Sequence, residues 1–439
     1  MNSPQPTGIH RAFQIFQVSR QASLILTGIL LAQSGLSGYD IGQYEMLAYC
    51  GYVLSFFWIT GLLQGWMIAA PQSSGIQQKR LHWLVGGSLL GLSLLATSLL
   101  WLPGEPVSAF FTHQKPLPFV RLYALYLLFS LPAYLTEYLW VLQQKAKWIL
   151  WYGTGTLALQ VMGLMIPIWL GYGLEGGLWG LLAVGIIRFL VAAVQLFTLK
   201  ETVAASETVS KMPQQNWWQL SWPLVLYALL GGFAQAFDFW LLGRLYPGDT
   251  LKFAQFRFGA REFPLALALV SAFNTTLLPE VSADTKAAPA LIRQKSLRLM
   301  HILFPITLLG LVVSEPLFPL IFSPEFAVSA GIFNVYLLLH IPRVVFPHTL
   351  LSGMGHTRVL LYTGLAELLL NALVSWHLAQ DYGMVGIAFG TVVAYSFEKV
   401  VYAVFLFRKY GIQPVSYIPV QWWLGYSAAT ILVFGWVMG

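Results

Sequence analysis

Charged residues are scarce in this chain. Only 9% of its 439 residues are Asp, Glu, Lys or Arg, while 57% are hydrophobic. Soluble domains carry about a quarter charged residues, so this composition excludes a soluble globular protein. Runs of about 20 apolar residues predict membrane-spanning helices and not a barrel. We therefore expect an all-α polytopic membrane protein.

The sequence also lacks the motifs of metal and nucleotide chemistry. A single cysteine, Cys50, excludes an internal disulfide and a cysteine-based metal cluster. No HExxH motif, Walker loop or GxSxG motif occurs, so we predict no metal, no cofactor and no catalytic residues. Without an ATP-binding domain, any transport depends on an ion gradient, the membrane potential or mass action on the cargo.

Two further classes of function are disfavoured by where the charges lie. The net charge of +7 does not indicate nucleic-acid binding, because the Lys and Arg residues lie mostly in short loops on one side. A polytopic glycosyltransferase or polymerase would need paired acids or arginines on a sizeable outer loop. The largest outer loop, 103–118, has only Glu105, His113 and Lys115 as charged or titratable residues. The protein is therefore not expected to be an enzyme.

Thirteen apolar segments are interpreted as spans. They lie at 9–33, 42–70, 82–102, 119–141, 149–171, 177–199, 217–242, 252–278, 298–322, 329–352, 359–380, 384–407 and 417–437. The start of the chain has neither the short apolar core nor the small-residue cleavage site of a signal peptide, so the first span is expected to be retained. One set of alternating loops carries fourteen Lys and Arg and the opposite set three. This positive-inside bias predicts a cytoplasmic N-terminus.

The predicted spans fall into two halves. A polar linker at 200–216 separates a six-helix bundle at 1–199 from a second at 217–407, and 408–439 is an extra C-terminal transmembrane segment. A faint repeat supports this division, since GQYE at 42–45 opens the second span and AQFR at 254–257 opens the eighth. A cytoplasmic linker after six spans predicts a parallel pseudo-twofold repeat. Transporters built from repeated halves bind their cargo between them, so a central cavity is expected.

Five arginines lie inside the apolar spans, namely Arg20, Arg188, Arg257, Arg261 and Arg343. A charge at bilayer depth costs at least about 2.5 kcal/mol, so such residues face a wet cavity or a partner. Together they predict a cationic cavity suited to an anionic or phosphorylated cargo. Arg257 and Arg261 are spaced i, i+4 and are expected to share one helix face. We interpret them as a phosphate or pyrophosphate clamp, because a guanidinium offers a fixed fork of donors.

Structural interpretations of these arginines remain open. Arg20 can snorkel to the cytoplasmic surface if its helix begins later. Arg257 and Arg261 could pair with Asp238 or Glu45, which lie near the same outer level, and Arg188 could pair with Glu137 or Glu175. The tenth span contains Pro342, Arg343 and Pro347, so we expect that helix to break near mid-membrane, where broken helices often mark binding sites.

Buried acids offer a second kind of site. Glu45, Asp238 and Glu367 are the candidates for ion coupling, because a cation-coupled transporter needs a carboxylate within the membrane. A counter-ion to an arginine is the favoured alternative for each of them. Glu398 and Lys399 are neighbours whose side chains project about 100° apart, so they need not pair with each other.

Three stretches of the sequence resemble one known family. They comprise GYDIGQYE at 38–45, preceded by Arg20; LSWP at 220–223, then Asp238, FAQFRFGARE at 253–262 and LPE at 278–280; and SEPL at 314–317, then IF at 321–322, SA at 329–330 and SGMGHTR at 352–358. This pattern resembles the oligosaccharide and polysaccharide flippases, O-antigen flippases among them. That branch belongs to the superfamily that includes MATE drug exporters and lipid II flippases.

The resemblance implies two six-helix bundles around a central cavity that opens alternately to either side. It implies a cargo, a polyprenyl-pyrophosphate-linked oligosaccharide, moved from the inner to the outer leaflet of a bacterial inner membrane for cell-surface polysaccharide biosynthesis. Besides membrane lipid, a polysaccharide polymerase or a glycosyltransferase is the kind of partner expected. The expectation taken from this resemblance rests on Arg20, Arg257 and Arg261.

This chain departs from the family in one respect and from its drug-exporting relatives in another. Family members often have twelve or fourteen spans. An apparent thirteen spans therefore casts doubt on the span assignment at the end of the chain. Drug exporters tend to carry an acid deep in the first span, whereas this span has none between Arg11 and Leu36. This absence argues against a MATE-type cation-coupled multidrug antiporter, which is the alternative function.

Overall fold

A computed structural model describes residues 8–73, 75–102, 117–199, 217–261 and 284–439, with single positions at 106, 109, 110, 270, 273, 277 and 281. Within these residues the regular structure is helical throughout, with no strand, as the sequence predicts. Seven of the helices are long and apolar enough to cross a membrane, and nine if each of two bent helix pairs counts as one span. The chain is a multi-pass membrane protein.

The molecule consists of two compact units. Unit 1 comprises Met1–Ala236 and Tyr246–Leu251, and unit 2 comprises Phe237–Leu245 and Lys252–Gly439. The predicted linker at 200–216 lies outside the described residues, so the bundle boundaries drawn from it remain predictions.

Unit 1 is built mainly from helices joined by short turns. They are α1 Gly8–Ala32, α2 Gly38–Ala69, α3 Gly75–Trp101, α4 Val120–Ser130, α5 Leu135–Leu142, α6 Ala146–Pro167 and α7 Gly173–Phe197. The first turn of α2 is capped by Ser37, whose Oγ accepts from the Asp40 backbone N–H at 3.1 Å. Pro132 begins the 3₁₀ turn that joins α4 to α5, where proline interrupts the helical hydrogen bonds.

The helices of unit 2 follow the same pattern with more breaks. They are α8 Trp217–Leu245, which begins in unit 1, then α9 Thr250–Gly259, α10 Ala288–Phe322, α11 Ser329–Leu337, α12 His340–Arg343, α13 Pro347–Gly353, α14 Thr357–Tyr410, α15 Pro414–Tyr417 and α16 Val420–Met438. The predicted break of the tenth span is confirmed, because a bend of 49° separates the end of α12 at Arg343 from α13. Pro342 and Pro347 flank this bend, and proline has no backbone N–H with which to continue a helix.

One helical hairpin occurs in each unit. In unit 1, Gly171 takes a φ of 88° and reverses the chain between α6 and α7. In unit 2, Gly383 takes a φ of 55° and divides α14 into helices at 357–382 and 384–410. Left-handed backbone of this kind is accessible to glycine at little cost, which explains how two membrane-length helices meet with almost no loop.

The paired helices of both hairpins touch at their backbones. A Cβ on Gly180 would collide with the Gly163 carbonyl, and one on Gly386 with the Leu378 carbonyl. The turns share the pattern Tyr-Gly-x-x-Gly-x-x-x-Gly, at 172–180 and 382–390. They fall between predicted spans five and six and between eleven and twelve. This second internal repeat, which the sequence analysis overlooked, is what a parallel two-repeat fold predicts.

The extra C-terminal segment forms α16 and belongs to unit 2. The ring of Tyr426 stacks on Phe304 of α10 at a centroid distance of 5.0 Å, and its hydroxyl lies 2.9 Å from Nδ1 of His301. The Trp423 indole donates to the Ile341 carbonyl at 2.9 Å, which satisfies a backbone group freed near the broken tenth span. The last helix therefore packs as an integral part of this unit.

Candidate functional site

Unit 1 contains a closed ion pair between two of its helices. Arg188 of α7 donates from Nη2 to Oε1 of Glu137 in α5 at 2.9 Å, and the side chains are only 5% and 1% exposed. The Arg188 guanidinium also lies 5.5 Å from the centre of the Tyr134 ring. Of the two acids that the sequence left open as its partner, Glu137 is therefore the one that pairs.

Arg20 belongs to the same neighbourhood. It is half-buried on α1, and its charge acts on both Glu137 and Tyr138. Two of the five predicted arginines thus converge electrostatically on one buried carboxylate of unit 1. Because Arg188 is enclosed and paired, Arg20 is the better placed of the two to meet a cargo.

Arg257 and Arg261, which we interpreted from the sequence as a phosphate clamp, lie near the end of α9 in unit 2. Arg257 sits in the last turn of this helix, with its guanidinium 5.2 Å from the centre of the Phe239 ring. Arg261 lies over the Phe258 ring at 4.7 Å. Both side chains are half-buried. Cations at a helix C-terminus are favoured by its macrodipole, and aromatic faces stabilise guanidinium groups that are partly out of water.

The expectation that Arg257 and Arg261 share a helix face is wrong in the described residues. The helix ends at Gly259, so Arg261 lies two residues beyond it. Gly259 packs so closely on α11 that a Cβ there would collide with Ile332 and with the Ser329 carbonyl. This close approach explains the glycine, which is also a weak helix former. The continuation of the predicted span through Glu262 and Pro264 lies outside the described residues.

Asp238 stands at the centre of a buried polar network in unit 2. The residue is 4% exposed, and three neutral side chains donate to its carboxylate. The Asn371 amide donates at 3.0 Å, the Thr391 hydroxyl at 2.8 Å and the Tyr336 hydroxyl, more weakly, at 3.5 Å. Hydrogen bonds from neutral donors stabilise a carboxylate away from water. The structure therefore places this candidate ion-coupling acid among oxygen-bearing groups.

The C-terminal hairpin positions the partners of Asp238. Asn371 and Ser375 lie one turn apart on the first helix of the hairpin, and the Ser375 hydroxyl donates to the Asn371 side-chain oxygen at 3.0 Å and to the Ile387 carbonyl at 3.1 Å. Ile387 and Thr391 lie one turn apart on the returning helix. Sequence reasoning missed Asn371, Ser375 and Thr391, although two polar residues at i, i+4 in an apolar helix were a usable signal.

The remaining candidate acids differ in their surroundings. Glu45 is 1% exposed within α2 of unit 1. Nearby, Gly42 packs directly against the backbone of Thr250, whose hydroxyl donates to the Tyr39 carbonyl at 3.0 Å. Glu367, in unit 2, lies in electrostatic range of Glu398 and Lys399.

Glu398 and Lys399 form an ion pair, contrary to the view that they need not meet. The Lys399 Nζ lies 2.6 Å from Oε2 of Glu398, because the flexible lysine chain bends back across the gap between neighbouring positions. Lys399 also lies 4.2 Å from the centre of the Tyr395 ring, and Arg343 lies 5.7 Å from the same centre. The residues Arg343, Tyr395, Glu398, Lys399 and Tyr402 are called the charge cluster of unit 2.

No group of three or more His, Cys, Asp or Glu side chains suited to a metal ion occurs among the described residues. His340, the most enclosed histidine of the broken span, shares a hydrogen bond of 2.7 Å with Thr307. It is 2% exposed and is a buried residue of unit 2.

Comparison with known proteins identifies the fold. No protein-family model and no curated protein sequence matches the chain. Among solved structures, the lipid II flippase MurJ in an inward closed conformation matches with a TM-score of 0.73 at 15% identity, covering 96% of this chain and 91% of that one. An inward-facing multidrug resistance MATE transporter of the MOP superfamily matches with a TM-score of 0.57 at 15% identity, over 96% and 99% of the two chains.

A third solved structure shares the fold. It is a MOP superfamily transporter from Pyrococcus furiosus, described as having a binding pocket of reversed polarity that suggests a different function. It matches with a TM-score of 0.54 at 13% identity and covers 96% of each chain. Likenesses at this level of identity show the fold, which is that of the two-repeat flippases and transporters. The fold leaves function to be argued from the residues themselves.

Proposed function

We propose that the protein is a flippase that moves a polyprenyl-pyrophosphate-linked oligosaccharide from the inner to the outer leaflet of a bacterial inner membrane. Arg20, Arg257, Arg261 and Arg343 bind the pyrophosphate, and the sugars occupy a hydrated central cavity. The prenyl tail stays in the lipid. We propose the same orientation as the loop charges predict, with the N-terminus in the cytoplasm.

One observation carries this proposal. A fold like that of the lipid II flippase is combined with arginines in apolar segments, three of which lie against aromatic rings of unit 2. Guanidinium groups match phosphate oxygens bidentately, and an aromatic support orients the guanidinium plane. The preference for a lipid-linked anionic cargo over a free cation follows from the sign of these charges.

Asp238 supplies the ion coupling in this proposal. Its carboxylate accepts hydrogen bonds from the Asn371 amide nitrogen and the Thr391 hydroxyl, and the Asn371 side-chain oxygen accepts from the Ser375 hydroxyl. Such oxygen-rich surroundings suit a hard monovalent cation such as sodium, and a buried carboxylate of this kind is where transporters bind a coupling ion or proton. Glu45 and Glu367 are secondary candidates for the same role.

The buried carboxylate of Asp238 favours a second candidate function. A cation-coupled multidrug antiporter also needs a buried carboxylate, and MATE transporters share the fold. In that case the arginines have structural roles and the transported drug is cationic. The two proposals differ in the charge of the cargo, so one experiment separates them.

The test is complementation of the host's own flippase-null strain, with surface glycan as the readout. Wild type restores the glycan, whereas Arg257→Ala combined with Arg261→Ala abolishes it while the protein still reaches the membrane. Arg293→Ala, which removes an exposed arginine of α10, is the matched control and restores the glycan fully. Full rescue by the double variant contradicts the clamp, and an unchanged glycan in the null strain favours the drug antiporter.

A further inference from the structure

The charge cluster of unit 2 contains a lysine that the proposed clamp does not use. Lys399 lies on the returning helix of the C-terminal hairpin, paired with its neighbour Glu398 at 2.6 Å. The two side chains retain 12% and 11% of their accessible surface. This pair is therefore less enclosed than the Arg188 and Glu137 pair of unit 1.

Each member of the pair has a second contact. Glu398 accepts a hydrogen bond, of 2.9 Å, from the Tyr402 hydroxyl one helical turn further on. Lys399 also has a side-chain hydrogen bond with Tyr395. Lys399 reaches Glu398 by bending its flexible chain, which costs side-chain entropy. If the two side chains separate, Glu398 therefore keeps its bond from Tyr402 and Lys399 keeps Tyr395.

A second cation lies beside Lys399. Arg343, at the end of α12 in the broken tenth span, and Lys399 both lie within cation–π distance of the Tyr395 ring. Each of these cations attracts an anion, and the attraction is stronger where water is scarce. A doubly charged anion that reaches this ring meets two positive groups. Glu398 holds Lys399 in the absence of such an anion.

We propose that Lys399 is an additional pyrophosphate ligand, which Glu398 holds in reserve and the anionic cargo displaces. Lys399 then exchanges one anionic partner for another, and Arg343 binds the same phosphate group. This inference rests on the proposed function, because it assumes a phosphorylated cargo. It adds a competing carboxylate, so removing Glu398 and removing Lys399 have opposite effects on anion affinity.

The test measures binding of inorganic pyrophosphate to the purified full-length protein by calorimetry. We expect Lys399→Gln to weaken binding about fivefold and Glu398→Gln to tighten it by a similar factor, the size expected for one partly exposed ion pair. Glu315→Gln is the matched control, since it removes an exposed acid of α10 in the same unit. It is expected to leave the affinity unchanged.

A double-mutant cycle completes the test. If Glu398 acts by competing for Lys399, the gain from Glu398→Gln disappears in the Lys399→Gln background. A gain that persists there, an equal gain from Glu315→Gln, or weaker binding by Glu398→Gln overturns the inference. Glycerol 3-phosphate stands for a phospholipid headgroup, and tighter binding of it than of pyrophosphate assigns the site to lipid and likewise overturns the inference.

Failure of this inference is distinguishable from failure of the proposed function. If wild type binds pyrophosphate and Arg257→Ala with Arg261→Ala weakens it, while Glu398→Gln changes nothing, only the reserve role of Lys399 is wrong. If the folded wild type and every variant bind no pyrophosphate, both proposals fail together.

Discussion

Buried charges are paired differently in the two units. In unit 1, Arg188 and Glu137 come from separate helices, 51 positions apart in sequence, and close on each other almost completely. In unit 2, Lys399 pairs with its own neighbour and keeps some exposure, while neutral groups hold Asp238. The first arrangement ties two helices together. The second has no ion pair between helices, and these are the charges to which we assign a change of partner under the proposed function.

The difference teaches where to look for function among intramembrane charges. A charge pair that bridges helices and excludes water contributes to packing specificity, and its loss affects folding. A charge held by a sequence neighbour contributes little to joining helices, and neutral donors such as those of Asp238 join helices without supplying a counter-charge. Such charges are the better candidates for contacts with cargo or ions.

The strongest way to break this comparison is to remove one member of the unit 1 pair. Arg188→Met leaves the buried Glu137 without its ion-pair partner, so we expect a loss of about 3–5 kcal/mol in the free energy of unfolding. Lys399→Met in unit 2 is expected to cost only about 1 kcal/mol, because Glu398 keeps its Tyr402 bond and some solvent. Unfolding of the purified protein in detergent, followed by intrinsic fluorescence, measures both.

A compensating replacement controls for lost packing at this site. Arg188→Met combined with Glu137→Leu removes both charges and is expected to recover most of the stability. Equal losses from Arg188→Met and Lys399→Met would contradict the distinction between the two units.

A second prediction concerns what the units share. Gly180→Ala in the hairpin of unit 1 and Gly386→Ala in that of unit 2 each push a Cβ into a backbone carbonyl. We expect similar losses of about 1–3 kcal/mol, the usual cost of overpacking. Thermal unfolding of the two variants, measured side by side, tests whether the hairpins are equivalent.

Gly425→Ala in α16 is the matched control, since nothing lies within 4 Å of a Cβ there. Alanine is the better helix former, so this variant is expected to be as stable as wild type or slightly more so. A large loss in one hairpin and none in the other would show that the shared Tyr-Gly pattern does not mark equivalent structures.

Helix positions were readable from the sequence because the length of an apolar run reports a span directly. The hairpin turns agree with this, since predicted spans end and begin within a few residues of Gly171 and Gly383. The break in the tenth span was also readable, because Pro342 and Pro347 act locally. Each of these features depends on neighbouring residues only.

Pairings across the fold were not readable in the same way. Asp238 meets Asn371 and Thr391 at separations of 133 and 153 residues, and only the reversal at Gly383 aligns those two partners. The common face of Arg257 and Arg261 failed for a related reason. Tight packing of Gly259 against α11, a contact 70 or more positions distant, accompanies the end of the helix.

The smallest expected effect is at Asp238, the buried charge of unit 2 that neutral groups hold. If its oxygen-rich site binds sodium, saturating NaCl stabilises wild type by on the order of 1 kcal/mol relative to choline chloride at equal ionic strength. Asp238→Asn keeps the size of the side chain and removes its charge, so the sodium-dependent shift in melting temperature disappears. Glu315→Gln removes an exposed acid of α10 and is expected to retain the shift. A shift that survives in Asp238→Asn would place the ion elsewhere. A stabilisation that appears instead on lowering the pH, and only when Asp238 is present, would assign the site to a proton. Asp238 of unit 2 would then still be a buried charge that exchanges its partner.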